Sequence, residues 1–198
     1  MGNKTLPGSD GEHRKQEEFN TRAKAEDFYN RQMLDYLAPE MKEFISKQEM
    51  VFIATSDRNG ECDNSLRSGE AGFVMVVDEN YIAYPDYKGN GVLASLGNIS
   101  ENPHIGMLFV DFFENKVGLH VNGKAKMLTE EELMSFIAER GSEVTPITSK
   151  QKVSFWIVIQ IEEAYIHCSK NIPLLQKNSN KLELNKHREV DFFGLQKL

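Results

Sequence analysis

From Met50 onward, apolar residues come in short runs broken by turn-forming residues, which is the rhythm of β-strands rather than helices. MVFIATSD ends at Asp57-Arg58-Asn59-Gly60, where Asn and Gly tolerate the left-handed backbone of a tight hairpin, and ECDNSLRS returns as a more polar strand. GFVMVVD and NYIAYP pair across Asp78-Glu79-Asn80, and HIGMLFVDF and KVGLHVNGKAKML across Phe113-Glu114-Asn115. VSFWIVIQIEEAYIHC is the longest run, and its unbroken apolar start predicts a strand buried on both faces. At least six strands with tight connections predict an antiparallel barrel or sandwich.

Helical spacing appears before and between these runs. Ala25, Phe28, Gln32, Met33 and Tyr36 recur on one face within a Gly- and Pro-free stretch from Glu17 to about Leu37. Pro39 then occupies a first-turn position, with Met41, Phe44, Ile45 and Gln48 on one face. Two N-terminal helices are therefore expected to lead into the sheet. Thr129-Glu130-Glu131-Glu132 is a capping box opening a further peripheral helix that buries Leu133, Phe136 and Ile137 and stops at Gly141. Residues 1–16, polar with Pro7 and three glycines, are expected to be disordered. The domain then runs over 17–175, and 176–198 form a tail whose Phe192, Phe193 and Leu195 are apolar enough to dock.

Composition narrows the function classes. The 198 residues are 40% hydrophobic and 27% charged, enough for one core, and length favours one domain. A net charge of -7 argues against general affinity for nucleic acid or a membrane surface. No apolar run is long enough to cross a bilayer, and the first residues match neither a secretory signal nor the myristoylation pattern. The two cysteines, Cys62 and Cys168, form no zinc-spaced cluster and imply no disulfide framework, which fits a reducing cytoplasm.

Two segments carry chemistry. After Tyr84-Pro85-Asp86 come Lys88, Gly89, Asn90 and Gly91, and then a helix beginning near Val92. Glycine amides, a helix N-terminus, a lysine and an asparagine side chain are donors a phosphate can use, although such a run is also an ordinary turn. Arg67, on the polar strand between Ser65 and Ser68, offers a planar fork that suits phosphate oxygens; its alternative is a lone surface arginine. His167 and Cys168 are adjacent on a strand and point to opposite faces, so they form no nucleophile–base pair, and a packed Cys168 beside an interface His167 is the expectation. Asp111 falls at a strand end, without a second carboxylate at acid–base spacing.

Taken in order over residues 50–127, the FIAT strand, the Asn-Gly turn, SLR-x-G, GF, PDY-x-GN, SLGN, ENP, GxLF-x-DF and VNGKA resemble the pyridoxamine 5'-phosphate oxidase-related flavin-binding proteins, in their flavin-nucleotide-binding subgroup. HC-x-K at 167–170 and the Arg31-Gln32 pair are similar too. The resemblance implies a mainly β (α+β) fold, an antiparallel split β-barrel, and a homodimer with FMN at the interface. By position, Ser65, Leu66 and Arg67 would run beside the flavin and its phosphate, and Ala83, Tyr84 and Asp86 would meet the ring and ribityl chain. Lys88, Asn90 and Gly91 would bind the phosphate region, with Lys124 as a further contact. His120 would either face the cofactor cleft or stand on the exposed face of its strand. Three departures stand out: Gly91-Val92 replaces the family's arginine after Gly-Asn, Gly69-Glu70-Ala71-Gly72 replaces Gly-Pro-Pro-Gly, and the basic residues that grip pyridoxamine phosphate are not identifiable. The reading implied is an FMN-dependent oxidoreductase acting on a small molecule other than pyridoxamine phosphate, with a reduced donor such as NAD(P)H; its alternative is a flavin or haem binder that senses or carries.

Overall fold

The computed structural model describes residues 6–146, 152–178, 193 and 195. Seven antiparallel strands form one sheet: β1 (Met50–Ser56), β2 (Cys62–Ser68), β3 (Met75–Val76), β4 (Tyr81–Tyr87), β5 (His104–Asp111), β6 (Val117–Leu128) and β7 (Val153–His167). Their order is β2-β1-β5-β6-β7-β4-β3. The sheet curls into a barrel that no main-chain ladder closes, the split β-barrel expected, with helices around it.

Strand β7 shows why the sheet curls. Ile157 and Ile159 enter the barrel core with Val51, Ile53, Ile82, Tyr84, Met107, Phe109 and Val121. Trp156 and Val158, on the other face, pack with Ala83, Leu133, Phe136 and Ile137 in a second cluster. This accounts for the unbroken apolar run.

The helix covering that second face, α5 (Glu130–Glu139), has both capping-box bonds: the Glu132 amide donates to Thr129 Oγ1 at 3.2 Å and the Thr129 amide to Glu132 Oε2 at 2.7 Å. Thr129→Ala removes the first of these and is expected to cost about 1 kcal/mol, read as a melting point lower by roughly 2–4 °C.

Three helices, not two, precede the sheet: α1 (Asp10–Glu18), α2 (Arg22–Arg31) and α3 (Pro39–Ser46). The expected disorder of 1–16 does not hold for Asp10 onward, because Ser9 caps α1 by accepting from the Glu12 amide at 3.1 Å. The single helix expected from Glu17 to Leu37 is broken at Asn20, whose φ of 54° no helix accommodates. GFVMVVD is a strand only at Met75–Val76. Phe73, Val74 and Val77 are buried by packing, not by pairing. Of the tail, Phe192 lies outside the described residues, as does most of 179–198.

Candidate functional site

Strand β3 pairs with only Ile82 and Ala83 of β4, so from Tyr84 onward that edge of β4 has no described strand beside it. The other end of the curled sheet, β2, comes up to this gap. Along β2 the side chains alternate: Asp63, Ser65 and Arg67 are half-buried, while Cys62, Asn64, Leu66 and Ser68 are exposed. Between β2, the end of β4, the turn after it and α4 (Ala94–Glu101) lies a cleft of about 500 Å³.

Arg67 bridges the gap. Its Nη1 donates to Ser65 Oγ at 2.7 Å, and its Nη2 to Asp86 Oδ1 at 3.4 Å and Ser95 Oγ at 3.3 Å. The Ser95 hydroxyl donates in turn to Asp63 Oδ2 at 3.2 Å. The two Nη2 bonds exceed the usual 2.9–3.0 Å for N–H···O, so the guanidinium is only loosely engaged. Its buried Nε finds no hydrogen-bond partner among the described residues. Burial pushes the Asp86 carboxyl above the usual carboxylate range, and Arg67 only partly offsets this. Burial likewise pushes the Tyr84 phenol up, with Arg67 opposing.

The turn is open and left-handed at two positions. Gly91 has φ of 87°, which favours glycine, and Leu93 adopts φ of 55° at the start of α4, where no side chain caps the helix. A Cβ at Gly89 or Gly91 would meet nothing within 4 Å, so open space lies above both. The Asn90 Oδ1 accepts from the Val92 amide at 3.0 Å, holding the bend and leaving the side-chain NH₂ to donate elsewhere. Lys88 stands exposed at the mouth.

Of the residues expected here, Ser65, Leu66, Arg67, Asp86, Lys88, Asn90 and Gly91 line this cleft, although the Leu66 side chain alternates outward. Ala83, Tyr84 and Lys124 do not. Ala83 faces the α5 cluster, Tyr84 is buried in the barrel behind Arg67, and Lys124 lies on central strand β6, paired with Glu162 at 3.1 Å. Asp63 and Ser95 were not among the expected residues. Period-two alternation from Ser65 and Arg67 points to Asp63, whereas Ser95 has no local signal beyond the SLGN run.

The remaining candidates have structural roles. Asp111 accepts from the amides of Phe113, Glu114 and Asn115 at 2.8–3.0 Å. Burial works to raise its carboxyl, but these amides and the Asn115 side chain outweigh it and hold the pKa below the usual range. His120 stands on the outer face of β6, on a shallow groove with Phe52, Asn64 and Leu108, and not in the cleft. Its Nε2 lies 2.9 Å from His167 Nδ1, and its ring stacks on Tyr165 at 4.7 Å. Cys168 is exposed and not packed as expected, because β7 ends at His167. Burial, and secondarily His167, lowers the His120 pKa. A histidine whose folded pKa lies below its unfolded value of about 6.5 loses stability as pH falls through that value. The melting point is therefore expected to drop between pH 7.5 and 5.5, and His120→Asn to narrow the drop.

Among the described residues no helix is long and apolar enough to cross a membrane, and no group of three or more His, Cys, Asp or Glu could hold a metal ion. No curated protein matches the chain. Solved structures similar to it include HupZ of Group A Streptococcus (21% identity, TM-score 0.47, covering 66% of this chain and 93% of that one). An FMN-binding protein of Syntrophomonas wolfei is 17% identical with TM-score 0.45, covering 81% and 99%. HutZ, a haem storage protein of Vibrio cholerae, is 17% identical with TM-score 0.42, covering 66% and 94%. Similarity at this level bears on neither ligand nor chemistry. The family model for pyridoxamine 5'-phosphate oxidase, in contrast, matches residues 37–168, spanning both walls of the cleft. With more than half of its length matched, the chain belongs to the pyridoxamine 5'-phosphate oxidase-related family.

Proposed function

We propose that the chain is an FMN-binding oxidoreductase whose cleft between β2 and β4 holds the flavin phosphate. The observation that carries this reading is the convergence of Arg67 with the Lys88–Gly91 turn and the uncapped start of α4 on one cleft. The fit of a phosphate rests on three features already described: a guanidinium whose Nη2 bonds are long, open space above two glycines, and a helix start that no side chain caps. Bound there, FMN supplies hydride and electron transfer between a donor such as NAD(P)H and a small organic acceptor or oxygen. The protein's part is to hold and orient. Arg67 and Lys88 offset the phosphate charge, Asn90 and the turn amides donate to its oxygens, and Ser65 keeps the guanidinium in place.

The cofactor is expected to be completed by a second copy of the chain, in a cytoplasmic homodimer. Leu66, Val92 and Leu93, beside the cleft, are 52%, 69% and 58% exposed, and the outer sheet face carries Phe52 and Leu108. Apolar exposure clustered around a binding site marks an interface. A second copy there would cover the ring, which the cleft of one chain leaves open.

The test is the absorbance and mass of what co-purifies with the full chain. A yellow chromophore identified as FMN and bleached anaerobically by NAD(P)H is expected; a colourless protein with no FMN affinity overturns the reading. Stable FMN binding without turnover of a substrate panel would favour a carrier or sensor instead.

A further inference from the structure

We infer that Asp86 meters the charge of the phosphate the cleft accepts: the ligand takes Arg67 away from Asp86, and about one proton enters with it, so FMN binds more tightly as pH falls. The inference rests on the flavin reading above and goes beyond it, because it assigns a role to a carboxylate placed where a phosphate site has least use for one.

The charge balance comes first. Arg67 and Lys88 face Asp63 and Asp86, two positive charges against two negative, so the cleft is neutral before a ligand arrives. A phosphate monoester is dianionic above its second pKa of about 6. In most phosphate sites the protein supplies the excess positive charge; this turn has Gly91 and Val92 and no second guanidinium.

Geometry then singles out Asp86. Its side chain is only 10% exposed, whereas Asp63 reaches Arg67 only through the Ser95 hydroxyl. Among the described residues, Arg67 and Asp63 from β2, Lys88 from the turn, and Tyr84 and Tyr87 from its own strand are the charged and titratable groups around Asp86. The α4 helix presents Ser95, and β7 presents Phe155 and Trp156, none of them ionisable near neutral pH. Arg67 is therefore the group that favours the Asp86 carboxylate, and it is the same group a phosphate would recruit. Once it turns to the ligand, a carboxylate already disfavoured by burial faces a second anion across the cleft. The proton settles on the Asp86 carboxyl or on the phosphate, and either way one is taken up from solvent. A protonated Asp86 becomes a donor, able to hydrogen-bond the ligand instead of repelling it.

The experiment is calorimetric titration of the full flavin-free chain with FMN and with riboflavin at pH 8, in two buffers of different ionisation enthalpy, and the same with Asp86→Asn. Uptake near one proton per FMN is expected in the wild type, with little for riboflavin. The FMN dissociation constant should weaken by up to about tenfold per pH unit on the alkaline side. Asp86→Asn should abolish the uptake, bind FMN more tightly at pH 8 and be nearly flat with pH. FMN binding without proton uptake in the wild type overturns the inference and leaves the flavin site standing. Equal uptake with riboflavin, or uptake that persists in Asp86→Asn, also overturns it. Absence of FMN binding overturns the flavin reading and this inference together. The wild-type measurement decides even if the variant folds poorly.

Discussion

Arg67→Ala is expected to weaken FMN binding by about 1–3 kcal/mol, roughly 5- to 150-fold, while riboflavin binding changes little. Among the described residues Arg67 is the one guanidinium lining the cleft, and Lys88, an exposed point charge on a flexible stem, cannot reproduce its fork. Arg67→Lys should fall between, keeping charge and losing the paired donors. Arg67→Ala also strands Asp86 in a buried position without its counter-ion, so a modest fall in melting point is expected, smaller at low pH where the carboxyl is protonated. Fluorescence quenching of FMN on titration with each variant measures the affinities, and equal values for wild type and Arg67→Ala would remove the phosphate from this cleft.

The largest stability effect is expected at Gly123. A Cβ there would sit 2.0 Å from the Gln160 carbonyl oxygen and 3.2 Å from Ile159 Cγ2. The first of these atoms is backbone in the neighbouring strand and cannot swing aside. The β6–β7 register also shifts between Asn122 and Gly123, so the strands approach closely at an irregularity. Gly123→Ala must push β7 away from β6 and is expected to cost on the order of 3 kcal/mol, a melting point lower by about 6–12 °C. Gly89→Ala, whose Cβ meets nothing, serves as the control and should leave stability within about 1 kcal/mol of wild type. Thermal melts of the three proteins side by side make the comparison.

Much of this architecture was legible in residue order. The short runs set off by turn residues located β1, β2, β4, β5, β6 and β7, and the capping box located α5 because its bonds are local. What escaped depends on contacts remote in sequence. GFVMVVD reads as a full strand, yet its apolar residues are buried by α3 and α5 packing around a two-residue pairing. Asn20 breaks the leading helix with neither Gly nor Pro to announce it. Arg67 and the Lys88–Gly91 turn stood out in the sequence because their residue types suit a phosphate, and the structure brings them to one cleft. Ser95 did not stand out, because it arrives only after the left-handed Gly91 and Leu93 fold the chain back. Tyr84 and Ala83 lie beside the cleft in sequence but are absent from its lining: strand alternation sends them into the two apolar clusters, Tyr84 behind Arg67 and Ala83 against α5.

The gap between β2 and β4 has one more implication. A barrel fastened there by a guanidinium and a carboxylate, with no run of main-chain bonds, resembles a sleeve held by a single button. A substitution at Arg67 or Asp86 therefore alters the join between the two ends of the sheet without removing any of its main-chain pairings.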